Sequence, residues 1–349
     1  MMSKEIKGFS KLSKKEKIEW LTAKYFKSKI KAKETLTKYW NSDKILQKLH
    51  DEFSENTLSN FYLPFAIAPN FLINNKIYTI PMTIEESSVV AAASKAAKFW
   101  MNHGGFKAEV IKTEKIGQIH FLYSGDKKYI YNYFEFVKPL LFKNTKTITK
   151  KMNSRGGGII DIKLIDKTSE LNNYYQIFAT FDTIDAMGAN FINSCLEEFS
   201  QIFTSSIPKF NNDNLKSKDV DIIMSILSNY VPNCVVKSEL SCSVKELNKL
   251  ESKTKNFANR IVKAVEIANT DIHRAVTHNK GIMNGIDAVA IATGNDFRAI
   301  EAAAHAYASI KKYGSLSNAK IVDDKFYFSL KIPLAIGTVG GVTNLHPLV

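Results

Sequence analysis

Apolar positions follow a helical spacing at the start of the chain and an extended pattern soon afterwards. Residues 13–31 and 33–53 predict two amphipathic helices, and Ser13 followed by Glu16 is a capping box that begins the first. Residues 61–81 indicate extended chain on both sides of Asn74 and Asn75, a pair typical of a hairpin turn. The alanine-rich residues 88–100 predict another helix, whose small side chains allow close packing.

The middle of the chain, between about residues 108 and 216, alternates strands with helices. Strand patterns occupy residues 109–113, 118–124, 159–165 and 174–183, and helices are predicted at 127–142 and 185–203. This βαββαβ-like order predicts a small, ferredoxin-like α/β domain with a mainly antiparallel sheet.

The remainder of the chain is rich in helical patterns, the longest of them over residues 246–270, and residues 324–337 indicate strands near the end. The predicted fold class is α+β. A large, helix-rich α/β domain is expected over residues 1–109 and 217–349, with the small α/β domain, residues 110–216, inserted into it.

Composition agrees with a globular protein of two domains. The 349 residues are 45% hydrophobic and 23% charged, and no apolar run approaches the roughly 20 residues of a membrane helix. The first residues are charged and have no apolar signal core, so a cytoplasmic location is expected. Cys195, Cys234 and Cys242 have no metal-binding spacing and are expected to be reduced thiols.

The net charge of +14 allows three interpretations. A nucleic-acid partner is one of them, but the lysines are spread along the chain and no recognition motif accompanies them. Solvated faces of amphipathic helices account for many of the lysines. A polyanionic small molecule, such as coenzyme A or a dinucleotide, would also be attracted by a positive field.

Candidate chemistry is densest in residues 277–287 and 294–308. Lys280 and Asp296 lie in small, glycine-containing surroundings, with Arg274 just upstream and the amide Asn284 nearby. Little bulk is present to shield these charges, which favours contact with a ligand. A structural salt bridge between the lysine and the aspartate is the simple alternative.

Two further segments carry candidate binding groups. Glu85 and Glu86 stand at a strand-to-helix junction, where a carboxylate also interacts favourably with the helix dipole. Residues 185–190, DAMGAN, follow a strand and open a predicted helix, so Gly188 would let the backbone approach a phosphate. The chain contains no GxGxxG fingerprint, which argues against a Rossmann domain.

Together, residues 81–94, 185–190, 277–287 and 294–308 resemble the motifs of class II 3-hydroxy-3-methylglutaryl-coenzyme A (HMG-CoA) reductases, the bacterial and archaeal form. The similarity extends over nearly the whole chain. It implies a four-electron, two-hydride reduction of HMG-CoA to mevalonate and coenzyme A, or the reverse reaction, through mevaldyl-CoA and mevaldehyde. It also implies a homodimer with active sites shared across its interface, and no metal.

The resemblance assigns roles residue by residue. It implies that Lys280 stabilises the oxygen of the thioester carbonyl, that Glu86 donates protons, and that Asp296 completes a hydrogen-bonded cluster with both. The residues that it implies for binding the hydroxymethylglutaryl group are Ser88, Arg274 and Asn284, with Glu55 near the subunit boundary.

The same resemblance places a nicotinamide dinucleotide at Asp185, Met187, Gly188 and Asn190, with Asp161 near the adenosine ribose. A carboxylate at that ribose repels a 2′-phosphate, so NADH is expected in preference to NADPH. His278 and His305 do not match the catalytic histidine of the family, and packed, hydrogen-bonded roles are expected for them.

Some positions depart from the family pattern. Ser59 replaces a glycine, Ser87 replaces a proline, and Ser10 and Lys11 stand where an arginine would bind a coenzyme A phosphate. The sequence ends at Val349, before the C-terminal flap domain of class II reductases, so weak turnover is expected from this chain. Two alternatives therefore stay open: a non-catalytic binder of coenzyme A or dinucleotide, and a basic nucleic-acid-binding protein.

Overall fold

The computed structural model describes residues 5–210, 215–251, 254–344 and 346–349. The chain divides into two compact units, Met1–Pro64 and Phe65–Val349. No helix in the described ranges is long and apolar enough to cross a membrane.

The first unit contains the helices α1 (Lys14–Tyr25), α2 (Lys29–Lys38) and α3 (Lys44–Glu52). The capping box at the start of α1 is confirmed, because Ser13 and Glu16 bond to each other's backbone amides. Lys14 of α1 pairs with Asp51 of α3 at 2.6 Å, which ties the first helix to the third.

The two long helices predicted for this unit are wrong in their lengths. The first ends at Tyr25, before the N-cap residue of α2, Ser28. The second is interrupted after Lys38, and Asp43 accepts hydrogen bonds from the first amides of α3. Asparagine, serine and aspartate side chains compete with the helix for backbone donors, which explains the break at residues 41–43.

The second unit begins with a hairpin. Its turn residues, Asn74 and Asn75, both have positive φ angles, as an asparagine-rich two-residue turn requires, and the predicted hairpin is confirmed. The elements of this unit are β1 (Phe65–Ile73), β2 (Lys76–Thr83), α4 (Ser87–Met101), β3 (Lys107–Thr113), β4 (Lys115–Tyr123), α5 (Lys127–Asn144), α6 (Lys146–Asn153), β5 (Gly158–Asp166), β6 (Tyr174–Asp182), α7 (Ala189–Ser205), β7 (Val220–Ser228), β8 (Cys234–Ser243), α8 (Val244–Leu250), α9 (Phe257–Thr270), α10 (Ile272–Ala292), α11 (Phe297–Ala308), β9 (Ser317–Val322) and β10 (Lys325–Pro333).

One four-stranded sheet has the strand order β5-β6-β4-β7, antiparallel throughout. Helices α5 and α7 connect its strands in the predicted βαββαβ order, so the ferredoxin-like arrangement is confirmed. Its core is aromatic and fully buried, with Phe121, Phe181, Phe199 and Phe203 at its centre.

The boundaries expected for the small domain differ from this sheet. Strand β7 (Val220–Ser228) is its edge strand, yet it lies beyond the expected limit at residue 216. Strand β3 (Lys107–Thr113) pairs with β8 in a different sheet. The division of the chain into two domains remains a prediction; the strands of this sheet lie between Lys115 and Ser228.

The second four-stranded sheet has the order β3-β8-β10-β9 and packs a core of Trp100, Phe326 and Leu247. The single helix expected over residues 246–270 is two helices, α8 and α9, separated by a segment that contains residues 252–253, outside the described ranges. Helix α10 follows at once, capped by Asp271, and its 21 residues make it about 30 Å long.

Candidate active site

The junction between β2 and α4 brings three predicted site residues together. Glu86 is the N-cap residue of α4, and the Ser88 hydroxyl donates a hydrogen bond of 2.7 Å to Glu86 Oε1. Lys280 Nζ, from α10, lies 3.9 Å from Glu86 Oε2. The side chains of Lys280 and Glu86 are 65% and 50% exposed, so both groups are accessible to a ligand.

Helix α10 sets the positions of the other predicted ligands of the substrate. Asn284 follows Lys280 by four residues, which places both on one face of the helix. Arg274 precedes Lys280 by six residues and therefore lies about 9 Å along the axis and about 120° around it. The Arg274 amide donates to the cap residue Asp271 at 3.1 Å.

Asp296 caps the next helix, α11. Its carboxylate accepts the amide of Arg298 at 3.0 Å and that of Ala299 at 3.3 Å, and it also pairs with the Arg298 guanidinium at 3.1 Å. Partial burial acts to raise the pKa of Asp296, but the Arg298 hydrogen bond and the helix amides outweigh it and lower the pKa. The carboxylate is thus held ionised.

The expected cluster of Lys280, Glu86 and Asp296 does not form within one chain. Lys280 precedes Ala292, the end of α10, by 12 residues, or about 18 Å, and Asp296 begins the helix after it. The extended length of α10 therefore separates the aspartate from the lysine. Only the Lys280–Glu86 part of the predicted cluster is present in one chain.

The segment between β6 and α7 has an unusual backbone. Helix α7 begins at Ala189, four residues later than predicted, because Gly188 has a φ angle of +91° and serves as the N-cap. A Cβ atom at Gly188 would lie 2.5 Å from Thr183 Cγ2, so only glycine fits. Ile184 also has a positive φ angle, +50°, which is strained for a β-branched residue. We call residues 183–188 the strained loop.

Neighbouring segments contact the strained loop on two sides. The Arg155 guanidinium lies 3.7 Å from Asp185 Oδ2, so the segment just before β5, the strand that carries Asp161, is adjacent to the strained loop. The Thr338 amide donates to the Asp185 carbonyl at 2.8 Å. A Cβ atom at Gly337 would lie 2.6 Å from the Met187 nitrogen, which requires glycine at this close approach.

A cleft of about 420 Å³ joins two of the predicted motifs. One side is formed by the end of the strained loop with the start of α7, and the other by the residues that precede α11. Its lining includes Met187, Gly188, Asn190, Gly294, Asn295 and Asp296, with residues 337–343 at one edge. The predicted dinucleotide-binding segment and Asp296 therefore share one cleft within the chain.

Asp161 lies on β5, next to a bulge in its pairing with β6. Lys138 Nζ and Lys163 Nζ lie 3.1 and 3.4 Å from its carboxylate oxygens. The small degree of burial acts to raise the pKa of Asp161, but these lysines and the Ile162 amide outweigh it and lower the pKa. The negative charge of the predicted ribose ligand is thus balanced by two adjacent positive charges.

The remaining predicted residues have local roles. Glu55 lies in a turn of the first unit with an exposed side chain, and Ser59, which replaces the family glycine, donates to the Leu36 carbonyl at 2.6 Å. His278 bonds to Ser317 at 2.8 Å, and both ring nitrogens of His305 are hydrogen-bonded, so the packed roles expected for these histidines are confirmed.

The three cysteines are free and buried, as expected for reduced thiols, and burial raises the pKa of each. No group of three or more potential ligands that would hold a metal ion occurs in the described ranges.

Three residues near the site were not predicted from the sequence. Arg298 pairs with Asp296, Arg155 pairs with Asp185, and Lys115 donates a hydrogen bond to Thr183 of the strained loop. Arg298 lies two residues after Asp296. Its proximity could have been inferred from the sequence, because an N-cap carboxylate lies close to the residues two and three positions after it. Lys115 has no such local signal, because its partners lie 68 and 71 residues away.

Comparison with known proteins identifies the family. The profile of the hydroxymethylglutaryl-coenzyme A reductases matches residues 13–349. The HMG-CoA reductase of Archaeoglobus fulgidus is 34% identical over 99% of the chain, which covers 75% of that protein. A probable HMG-CoA reductase of Borreliella burgdorferi is 33% identical over 85% of the chain, which covers 66% of that relative.

Comparison with solved structures gives the same family as the sequence comparisons. The class II HMG-CoA reductase of Streptococcus pneumoniae bound to NADPH superposes with a TM-score of 0.75 at 33% identity, over 98% of this chain and 89% of that one. Sequence and structure thus define the class of protein, an oxidoreductase. The chain belongs to the hydroxymethylglutaryl-coenzyme A reductase family.

Proposed function

We propose that this protein reduces HMG-CoA to mevalonate and coenzyme A with two hydrides, or catalyses the reverse reaction. The observation that carries the proposal is the cleft in which Gly188 and Asn190 face Asp296. The cleft brings a backbone suited to a dinucleotide next to the carboxylate of Asp296, from the motif at residues 294–308. Lys280 and Glu86 then supply the charges that reduction of a thioester requires.

The side chains that meet the substrate have distinct tasks in this proposal. Negative charge develops on the carbonyl oxygen as hydride adds to the thioester carbon, and the exposed Lys280 ammonium stabilises it. Glu86 supplies the proton for that oxygen, and Ser88, already bonded to Glu86, orients the carboxyl. Arg274 binds the free carboxylate of the substrate, and Asn284 bonds to the hydroxymethylglutaryl group.

The overall reaction balances in three steps. The first hydride and a proton convert the thioester into a hemithioacetal. Its C–S bond then breaks to give mevaldehyde, and the hydroxyl proton leaves as the thiolate is protonated. The second hydride and a second proton give the primary alcohol of mevalonate. A proton donor is thus needed three times near one carbon, a task for a carboxyl group within reach of the substrate, such as that of Glu86.

A nicotinamide dinucleotide, which supplies the hydrides when bound, fits the strained loop and the start of α7. Gly188 leaves the backbone uncovered, and the first amides of α7 favour an anion such as a pyrophosphate. Asp185, with Arg155 beside it, and Met187 and Asn190 would contact the same ligand.

We further propose NADH as the preferred reductant, because Asp161 would accept hydrogen bonds from the ribose hydroxyls. Lys138 and Lys163 reduce the repulsion that this carboxylate exerts on a 2′-phosphate. The preference for NADH is therefore expected to be modest.

A shared active site explains why Asp296 and Lys280 are separated in one chain. We propose a homodimer in which the cleft of one protomer, with Asp296, faces the Lys280 and Glu86 of its partner. Each dimer then contains two complete sites, and the carboxylate of Asp296 reaches the lysine across the interface.

Turnover tests the proposal directly. Oxidation of NADH and NADPH would be followed by nicotinamide absorbance with HMG-CoA, using the 349-residue chain. We expect Lys280→Ala to lower kcat at least about a hundredfold, because one stabilising donor at a developing oxyanion has an effect of that order. Lys263→Ala, which removes an exposed lysine of α9, is the control and should retain full activity.

Other outcomes would point to the alternatives. Binding of dinucleotide or coenzyme A without any turnover would indicate a non-catalytic binder. Salt-sensitive binding of DNA without nucleotide affinity would indicate a nucleic-acid-binding protein. Equal activity of Lys280→Ala and Lys263→Ala would contradict the role assigned to Lys280.

A further inference from the structure

Lys115 is a buried lysine without a carboxylate partner. It begins β4 and is only 4% exposed. No carboxylate lies within 4.0 Å of its ammonium in the part of the chain that the structure describes. Burial of a charge is unfavourable unless hydrogen bonds compensate, so the contacts of this ammonium show what it does.

Both contacts of the ammonium are with the strained loop. Lys115 Nζ donates to Thr183 Oγ1 at 2.6 Å and to the Ala186 carbonyl at 3.3 Å. The Thr183 hydroxyl, which is itself fully buried, donates to the same Ala186 carbonyl at 2.7 Å. The lysine therefore binds both ends of a single turn, and the turn has one further bond of its own, from the Ala186 amide to the Thr183 carbonyl at 3.0 Å.

The register of the sheet explains how Lys115 reaches this turn. It pairs with Phe181 on the neighbouring strand β6, and the side chain extends past the end of β6 to Thr183, two residues further on. The lysine therefore reaches the loop from the interior, where it lines a small cavity of about 20 Å³ together with Met187 and Ala189.

The loop needs such support because its backbone is strained. Ile184 has a φ angle of +50°, which is unfavourable for a β-branched residue. Such a conformation persists only where surrounding contacts impose it. Asp182 supplies one of them, since its carboxylate accepts the Ile184 amide at 2.8 Å. Lys115 supplies two more from the interior.

We propose that Lys115 is a positioning residue for the dinucleotide: it holds the strained loop in the backbone conformation that leaves Gly188 and the start of α7 open to the ligand. It acts through Thr183 and Ala186 and does not touch the reacting atoms. This inference rests on the proposed function, namely that a nicotinamide dinucleotide binds at residues 185–190.

Three variants of the full chain test the inference, with NADH as the probe and nicotinamide fluorescence as the signal. Lys115→Met removes the ammonium but keeps an unbranched apolar stem, and Thr183→Val removes the hydroxyl at nearly constant volume. We expect each to weaken NADH binding about tenfold, and their combination to weaken it by clearly less than the product of the two effects, because both belong to one hydrogen-bonded network with the Ala186 carbonyl. Lys128→Met, an exposed lysine on α5, should bind NADH as the wild type does.

A purely stabilising role would give different results. The inference requires the KM for NADH to rise in Lys115→Met while the KM for HMG-CoA stays within about twofold, and the Ala186 amide to exchange hydrogen faster. Equal changes in both KM values, or additive losses in the double variant, would overturn it. If Lys115→Met does not fold, Thr183→Val decides: unchanged NADH affinity in that variant refutes the inference.

The wild type separates the two proposals. No NADH binding by the folded wild-type chain would refute the proposed function and the inference with it. NADH binding by the wild type that Lys115→Met and Thr183→Val leave unchanged would refute only the role of Lys115.

Discussion

Gly188 shows how one missing side chain shapes the proposed dinucleotide site. Its positive φ angle and the nearby Thr183 side chain both exclude a Cβ atom. Gly156 has almost the same φ angle, +92°, but no atom lies within 4 Å of the position where its Cβ would be. The two glycines therefore separate the effect of backbone conformation from that of close contact.

We expect Gly188→Ala to lower NADH affinity by about tenfold or more and the free energy of unfolding by about 2–4 kcal/mol, because strain and overpacking add. Gly156→Ala should lower the free energy of unfolding by only about 1–2 kcal/mol, the cost of the backbone conformation alone. Denaturant unfolding and NADH titration of both variants measure this. Equal losses in the two variants would show that the Thr183 contact has no effect.

Single residues of the site were predictable to different degrees. Glu86, Ser88 and Lys280 were named from the sequence, and the structure places them together. The position of Asp296 was not predictable, because the length of α10 between it and Lys280 becomes evident only in the folded chain. Lys115 could not be found by motif, since its role arises from pairing between strands distant in sequence.

At the scale of elements, α10 and α11 are joined by a pair of carboxyl groups. Asp287 of α10 and Glu301 of α11 lie within hydrogen-bonding reach, and burial, together with Glu301, raises the pKa of Asp287 to about 7. Glu301 also bonds to His305 at 2.9 Å, and His305 bonds to Tyr313 at 2.7 Å. Burial and the neighbouring Glu301 thus favour the protonated form of Asp287 near neutral pH.

This pair predicts a pH dependence of stability. The folded pKa of Asp287 is raised above its unfolded value of about 3.9, so the protonated form favours folding. Its stabilising contribution is complete below about pH 4 and is lost as the pH rises through about 7. The contribution of Asp287 to the melting temperature of the wild type should therefore decrease from about pH 5 to about pH 8.

Asp287→Asn removes the titration, because the amide donates to Glu301 at every pH. The variant should lose less of its melting temperature than the wild type between about pH 5 and about pH 8. Asp221→Asn, an exposed aspartate on β7, is the control and should follow the wild type. If all three proteins show the same pH slope, the titration of Asp287 does not contribute to stability.

Elements with strong local signals were predicted well, and elements defined by distant pairing were not. The hairpin at Asn74 and Asn75, helix α4 and the order of strands β4 to β6 were all evident in the pattern. Strand β7 was missed because its sequence, VDIIMSILS, has no strict alternation, and only pairing with β4 identifies it as an edge. Likewise, the helical pattern over residues 33–53 is interrupted where the Asp43 side chain caps α3, a local hydrogen bond that apolar periodicity does not reveal.

At the scale of the whole molecule, one chain contains two incomplete parts of the proposed active site. Lys280 and Glu86 are together, and Asp296 lies with the dinucleotide segment. A site shared between protomers requires that the two parts come from different chains, whereas a single-chain site requires Asp296, at the start of α11, to approach Lys280, which lies 12 residues before the end of α10.

Mixed dimers distinguish these arrangements. Lys280→Ala and Asp296→Asn, each inactive alone, should regain activity when co-expressed, because mixed dimers form about half of the population and have one intact site of two. About a quarter of wild-type activity is expected. Glu86→Gln combined with Lys280→Ala is the matched control and should regain none, since these residues belong to the same chain at 3.9 Å. Recovery in the control pair but not in the first would reverse the assignment.

The contacts around the strained loop also limit when the chain acquires its ligand during synthesis. The Asp185 carbonyl accepts the Thr338 amide, and Asn295 Oδ1 accepts the Gly337 amide, so three segments far apart in sequence meet at the cleft. Loop closure over such separations occurs late in folding. A nascent chain on the ribosome therefore cannot assemble this cleft until residue 338 has emerged, and the dinucleotide binding proposed for the cleft must follow that point of synthesis.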